Sequence, residues 1–374
     1  MIEQGMIEQG VIELSAAQAR RIAVAAALLG TPRPADLLEV ARGLAAVQVD
    51  ATSYVAPSAE IVFWSRLGRR FAAPDLTDAV ESRRLVEHRG FLRPAEDLAL
   101  FTAEMAAWPG VHPAGWQAAM ARWVEVNDAA REAILGALRS DGPLAAREID
   151  VPFKRDWKSS GWNNTKNVPM MLERLEERGE VAVSHRAGRE RVWDLAERIY
   201  PHETPVPLAD ALRIRAERRL AYLGVARAQG PGCSTEPVDV GEVGVRAVIE
   251  GTRGEWRVDP ALLEGGFRGR VALLSPLDRL VFDRKRMDDL WRFDYALEMY
   301  KPAAVRQWGY FALPVLSGAD LVGKVDVEAD RRGGLLRVHA LHEDVAWSAS
   351  VRDGVEREIR SLGTLVGLEV VDER

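Results

Sequence analysis

The sequence predicts an α+β chain: tandem winged-helix (helix-turn-helix) domains followed by a C-terminal antiparallel β-barrel or sandwich. Three observations predict it. Short helical patterns separated by Gly/Pro turns fill the N-terminal part. Residues 127–195 run helix, helix, basic-capped helix and hairpin, which is the order of a winged helix. From about residue 269 alternating β-like segments dominate, broken by Ser317-Gly-Ala-Asp and Arg331-Arg-Gly-Gly. The length of 374 residues suits two or more domains, and 47% hydrophobic content excludes gross disorder. No apolar run approaches the roughly 20 residues of a membrane span. The single cysteine, Cys233, excludes a disulfide framework and a cysteine-based zinc cluster. A soluble, cytoplasmic, nucleoid-associated monomer is expected. The opening MIEQGMIEQG repeats one polar pentapeptide and predicts no element of the fold.

Ser15 caps an alanine-rich helix that runs to Leu29 and ends at Gly30-Thr-Pro. Residues 35–47 place Leu37, Leu38, Val40, Leu44 and Val47 at helical spacing, and a third helix is predicted from Pro74 to about Ser82. Helical patterns follow at 127–140 and 143–148. A loop at 154–167 precedes the helix 170–181, in which Met171, Leu172 and Leu175 form an apolar face and Gly179 supplies a left-handed cap. Residues 180–184 and 190–195 alternate around His185-Arg-Ala-Gly188 as a β-hairpin. After a proline-rich linker, a helix is predicted at 208–223 and strands near 243–250 and 254–258, a degenerate copy of the same motif. Strands at 271–274, 309–316, 321–327 and 335–340, with a helix at 351–362, complete the chain. The domain boundaries are 15–125 and 126–202 for two winged helices, 203–268 for a third, degenerate unit, and 269–374 for the β domain with its terminal helix.

The net charge of −6 argues weakly against nucleic acid, but the charges are segregated. Residues 343–374 hold eight acids against four bases. Residues 66–93 hold seven arginines against four acids, residues 154–191 nine bases against six, and residues 268–286 six against two. Three of the six lysines (Lys154, Lys158, Lys166) and three of the four asparagines (Asn163, Asn164, Asn167) fall in one stretch. Each stretch alone reads as a solvated face. Together they read equally well as a polyanion-binding surface.

Signatures for phosphate loops, dinucleotide binding, zinc proteases and serine hydrolases are absent. His339 and His342 have no third ligand at metal spacing. Residues 44–53 carry the one unusual pattern, where an apolar helix runs into Gln48-Val49-Asp50. The two polar side chains share a face only if the backbone is extended, because in a helix they would lie about 200° apart. Two readings stand on this pattern. One is a frayed helix end with solvated polar residues. The other is an amide and a carboxylate side by side, able to hold one water and accept its proton.

Gln48-Val-Asp50 followed by Phe63-Trp-Ser-Arg-Leu-Gly68 resembles the YcaQ/AlkZ family of winged-helix DNA glycosylases, in its Gln-x-Asp, YcaQ-like branch. The resemblance continues in Lys158-Ser-Ser-Gly-Trp-Asn-Asn-Thr-Lys166 and in Gly179-Glu-Val-Ala-Val-Ser-His-Arg-Ala-Gly-Arg189. It is strongest in Leu274-Ser-Pro-Leu-Asp-Arg279 and in Tyr300-Lys-Pro-Ala-Ala-Val-Arg-Gln-Trp-Gly-Tyr310. It covers most of residues 15–345. One departure is clear: a histidine pair usual in that branch is replaced by Pro57-Ser-Ala-Glu60.

The resemblance implies hydrolysis of the N-glycosidic bond of N7-alkylated purines, with unhooking of interstrand crosslinks and genotoxin resistance as extensions. The catalytic residues it implies are Gln48, orienting a water, and Asp50, stabilising the cationic sugar. No lysine precedes Lys154, so a Schiff-base nucleophile is not favoured and a monofunctional enzyme is expected. The expected DNA contacts are Arg66, Lys154, Lys158, Trp162, Asn163, Asn164, Lys166, Arg186, Arg189 and Arg306. Trp157, Trp193, Trp291 and Trp308 are assigned to packing. The expected partner is double-stranded DNA carrying alkylated or crosslinked purines, and no metal, organic cofactor or membrane is expected. The alternative is a non-catalytic winged-helix regulator or resistance protein that binds DNA.

Overall fold

The computed structural model describes residues 10–50, 52–110, 113–158, 164–231 and 236–374. Its contacts group the chain into two units. One comprises residues 1–76 and 215–374, and the other residues 77–214. Trp162, Asn163 and Cys233 lie outside the described residues. Among the described residues no helix is long and apolar enough to cross a membrane.

The first unit joins the two ends of the chain. Ser15 starts the helix Ala16–Ala26 through a capping box with Gln18, the hydroxyl accepting from the Gln18 N–H at 3.2 Å. Asp36 caps Leu37–Leu44, its carboxylate accepting from the Glu39 N–H at 2.9 Å. A four-stranded sheet follows the order Val11–Leu14, Val245–Ile249, Trp256–Val258, Val225–Arg227. Its first strand lies beyond the predicted elements, because it runs parallel to a partner more than 230 residues away, with Val11 opposite Arg246. Leu14, Ala23, Ile249, Trp256, Leu280 and Met287 bury one apolar core between this sheet and its helices. The helix Ser58–Leu67 likewise lies beyond the predicted elements. Nearly every side chain from Ser58 to Leu67 is buried, so it shows no polar stripe to reveal a helical period.

The C-terminal β region is a half-barrel sheet and not the closed antiparallel barrel expected. Its order is Arg270–Leu273, Leu313–Gly318, Asp320–Asp330, Leu335–Glu343, Glu369–Asp372. The first and last strands stay at opposite edges, so the sheet does not close. The last strand also runs parallel to Leu335–Glu343, since the helix Ala349–Val366 carries the chain back along the sheet before it pairs. Gly354 lets that helix lie close on Val271; a Cβ at this position would sit 2.6 Å from the valine Cγ2.

In the second unit five strands follow the order Phe91–Pro94, Leu85–His88, Val181–Ala187, Glu190–Leu195, Leu144–Ala145. The predicted hairpin forms, but its first strand runs on through His185-Arg186-Ala187, which pair with Val192, Arg191 and Glu190, so the turn is shorter than the 185–188 expected. The predicted helix at 143–148 is instead the short strand Leu144–Ala145 and a 3-10 turn, Ala146–Glu148, because Leu144 and Ala145 pair with Trp193 and Val192 of the hairpin. The helices Asp128–Asp141 and Asn167–Glu177 bury Ile134, Leu138, Met171, Leu172 and Leu175 against Val181 and Trp193. Gly179 closes the second of them at φ +68°.

Candidate functional site

The helix Leu37–Leu44 ends at Ala45, whose φ of 54° is left-handed, and Val47–Gln48 is extended strand. Gln48 therefore does not prolong the helix, and the helical arrangement that would send it away from Asp50 does not occur. The amide oxygen Oε1 of Gln48 is buried and has no hydrogen-bond partner among the described residues. Gln48 lines a cavity of about 10 Å³ together with Val62, Arg66, Tyr222, Asp278 and Arg279. That is on the order of the space of one water. Asp50, half-buried, accepts the Thr52 N–H on Oδ1 at 2.7 Å. A short local bond of this kind fixes an aspartate against the turn that follows it.

Arg66 corrects an expectation. It is not a DNA contact, because its side chain is only 1% exposed and every arm is engaged. Its guanidinium meets the Asp278 carboxylate fork to fork, with Nη2 at 3.1 Å from Oδ1 and Nη1 on Oδ2. Nε donates to the Ala27 carbonyl at 3.0 Å, and Nη1 also donates to Ser65 Oγ at 2.9 Å. Asp278 in turn caps the short helix Arg279–Phe282 by accepting from the Leu280 N–H at 3.0 Å. The neighbouring Tyr222 phenol is pushed up chiefly by burial, with Arg279 opposing. Asp278 is not among the residues expected at the site. Its signal was its place in Leu274-Ser-Pro-Leu-Asp-Arg279, two residues before a buried leucine.

Glu60 stands near the start of the helix Ser58–Leu67, and burial pushes its carboxyl up while the charge of Arg331 opposes this. The loop between Asp50 and that helix is tied down from the sheet. The Tyr54 carbonyl accepts from the Ala329 N–H at 3.1 Å. Arg331 donates to the carbonyls of Ser53 and Val55 at 3.3 and 2.8 Å. The Tyr54 ring lies on Tyr310 at 4.5 Å between centroids, with the Arg306 guanidinium 4.9 Å from the centre of Tyr310. Arg306 is half-buried and also donates from Nε to the Lys301 carbonyl at 2.9 Å.

The other expected DNA contacts lie in the second unit. Lys154, Lys158, Asn164 and Lys166 are exposed, and Lys166 immediately precedes the helix Asn167–Glu177. The base of their loop is stitched by Asn167, which accepts from the Trp157 N–H at 2.7 Å and donates to Asp156 at 2.9 Å. Trp157 meets Trp123 edge-on at 5.0 Å, so it packs. Trp193 and Trp308 are buried, and Trp291 is bonded to the Ala319 carbonyl at 2.8 Å. Arg189 is exposed at the hairpin tip. Arg186 is turned inward instead, its guanidinium on the buried Glu87 at 2.6 and 2.7 Å.

Among the described residues no group of three or more His, Cys, Asp or Glu side chains is arranged to hold a metal ion. A likeness of fold is found in the Streptomyces sahachiroi DNA glycosylase AlkZ. It matches with a TM-score of 0.61 and 17% sequence identity over 96% of this chain and 100% of that one. The sequence profile of the DNA glycosylase AlkZ-like family matches residues 41–365, a span that includes Gln48, Asp50, Asp278 and Arg331. The chain belongs to the AlkZ-like family of DNA glycosylases, DNA-repair enzymes that hydrolyse N-glycosyl bonds in DNA.

Proposed function

We propose that this glycosylase excises N7-alkylated purines from duplex DNA with Gln48 and Asp50, and unhooks crosslinks through the same chemistry. Alkylation at N7 leaves the purine cationic, so its bond to C1′ breaks without protonation of the leaving base. What remains is a sugar with oxocarbenium character. Asp50 stabilises that charge and accepts the proton of the attacking water, while Gln48 orients the water. The reading is carried by one observation: the chain is already extended at Gln48, so a helix does not turn the amide away from Asp50. The step needs no amine nucleophile, which makes the enzyme monofunctional.

The DNA is held by tandem winged helices on this reading. In the second unit, the helices Asp128–Asp141 and Asn167–Glu177 and the hairpin Val181–Leu195 form one of them. Lys154, Lys158, Asn164, Lys166 and Arg189 bind phosphates there, and Arg306 does so in the first unit. Arg66 takes no part.

The test is incubation with a duplex containing N7-methylguanine, following free base first and strand breaks after alkali. Free base with alkali-dependent breaks supports the proposal. Breaks without alkali would mean a coupled lyase, and binding without base release would favour the regulator or resistance-protein alternative. A duplex crosslinked through purine N7 tests unhooking in the same way.

A further inference from the structure

Residues 52–57 have neither helix nor strand structure, so their carbonyls need partners outside the segment. Three consecutive residues find them at the end of the strand Asp320–Asp330 and in the turn beyond it. Ser53 and Val55 share the two arms of Arg331, and Tyr54 takes the Ala329 N–H. The side chain of Tyr54 lies beside Glu328, whose carboxylate adds to burial in pushing the phenol up. Glu328 is held in turn by His339 at 3.1 Å, and His339 by Glu373 at 3.2 Å. At the near end of the segment, the Thr52 N–H holds the Asp50 carboxylate at 2.7 Å. Asp50 is thus attached to a backbone that is itself pinned to the C-terminal sheet.

We propose that Arg331 is a positioning residue for the glycosylase reaction, bridging the Ser53 and Val55 carbonyls so that the Asp50 carboxylate stays where the sugar becomes cationic. This rests on Asp50 being the reacting carboxylate. A planar guanidinium presents its two outer nitrogens as a fixed fork that can span two carbonyls two residues apart, whereas a lysine offers one point of charge on a flexible stem. A carboxylate that stabilises a developing charge must be placed to well under an ångström, and a shift of about 1 Å can cost about a hundredfold in rate.

The experiment uses the full chain with Arg331→Met, Arg331→Lys and Tyr54→Phe. Single-turnover release of N7-methylguanine, duplex affinity, unfolding midpoint and amide exchange over residues 52–55 are measured together. Arg331→Met is expected to slow release about 10- to 100-fold, with duplex affinity and midpoint near wild type and faster exchange over 52–55. Arg331→Lys should recover part of the rate. Tyr54→Phe, which removes a single hydroxyl, should slow release by a few-fold and serves as the decisive variant if Arg331→Met does not fold. Unchanged release in the folded variants overturns the proposal, as does a loss that only follows the unfolding midpoint. If wild type itself releases no base, the glycosylase mechanism proposed above falls. The exchange measurement then still reads the clamp, and unchanged exchange in Arg331→Met overturns it on either footing.

Discussion

Arg66 and Asp278, 212 residues apart in the chain, close on each other fork to fork beside the strand that carries Gln48, each side chain 1% exposed. An ion pair so deeply buried gives up much hydration, and removing one partner strands the other charge. Arg66→Met should therefore cost about 3–5 kcal/mol in urea unfolding. Replacing both residues, Arg66→Met with Asp278→Leu, should recover part of that loss. Arg66→Met within about 1 kcal/mol of wild type, the range of an exposed pair, would deny the pair its structural role.

Asp50→Asn should abolish base release while duplex affinity stays near wild type, since its charge acts only as the sugar becomes cationic. The expected loss in single-turnover rate is at least the roughly 10²–10⁴-fold of a missing general base. Gln48→Ala should cost less, and the double variant little more than Asp50→Asn, because both act on one water. Full release by Asp50→Asn would assign the chemistry to another residue.

The exposed lysines of the second unit predict a salt effect. Each phosphate contact contributes a slope of about −0.9 in log K against log salt. Lys158→Ala or Lys166→Ala should weaken duplex binding on any sequence and flatten the slope by about one unit. Arg66→Met should leave the slope alone. If both lysine variants keep the wild-type slope, the 154–167 loop is not on the DNA.

Glu176 makes the second unit sensitive to pH. Burial pushes its carboxyl up to about 7 from an ordinary 4.5, and the backbone N–H of Arg89 at 2.9 Å only partly opposes this. The folded chain then holds the proton more tightly than the unfolded one. Its stabilising contribution is full below about pH 4.5 and is lost as pH rises through about 7. Glu176→Gln keeps a neutral, hydrogen-bonding group at every pH. Its stability relative to wild type should improve between pH 5 and pH 8 by on the order of 2–3 kcal/mol. A difference that does not change with pH would mean Glu176 titrates as an exposed glutamate.

Much of this protein is written locally. Ser15 with Gln18, Asp36 before Leu37, Gly179 after a helix and the alternation of the hairpin each act within a few residues of where they stand. The sequence by itself therefore determined those helices and the hairpin, and it singled out Gln48 and Asp50 without deciding between a frayed helix end and a paired site. It also carried the family, because ordered motifs survive in a linear reading. Tertiary structure alone decided what depends on distant partners. Val11–Leu14 becomes a strand through residues 245–249, and the C-terminal sheet stays open because the chain returns parallel at 369–372. Arg66 and Arg189 are the same letter in basic stretches, yet one is locked on Asp278 and the other stands at an exposed tip. Whether an arginine's charge faces water or a buried carboxylate depends on a residue far away along the chain, and no local pattern records it.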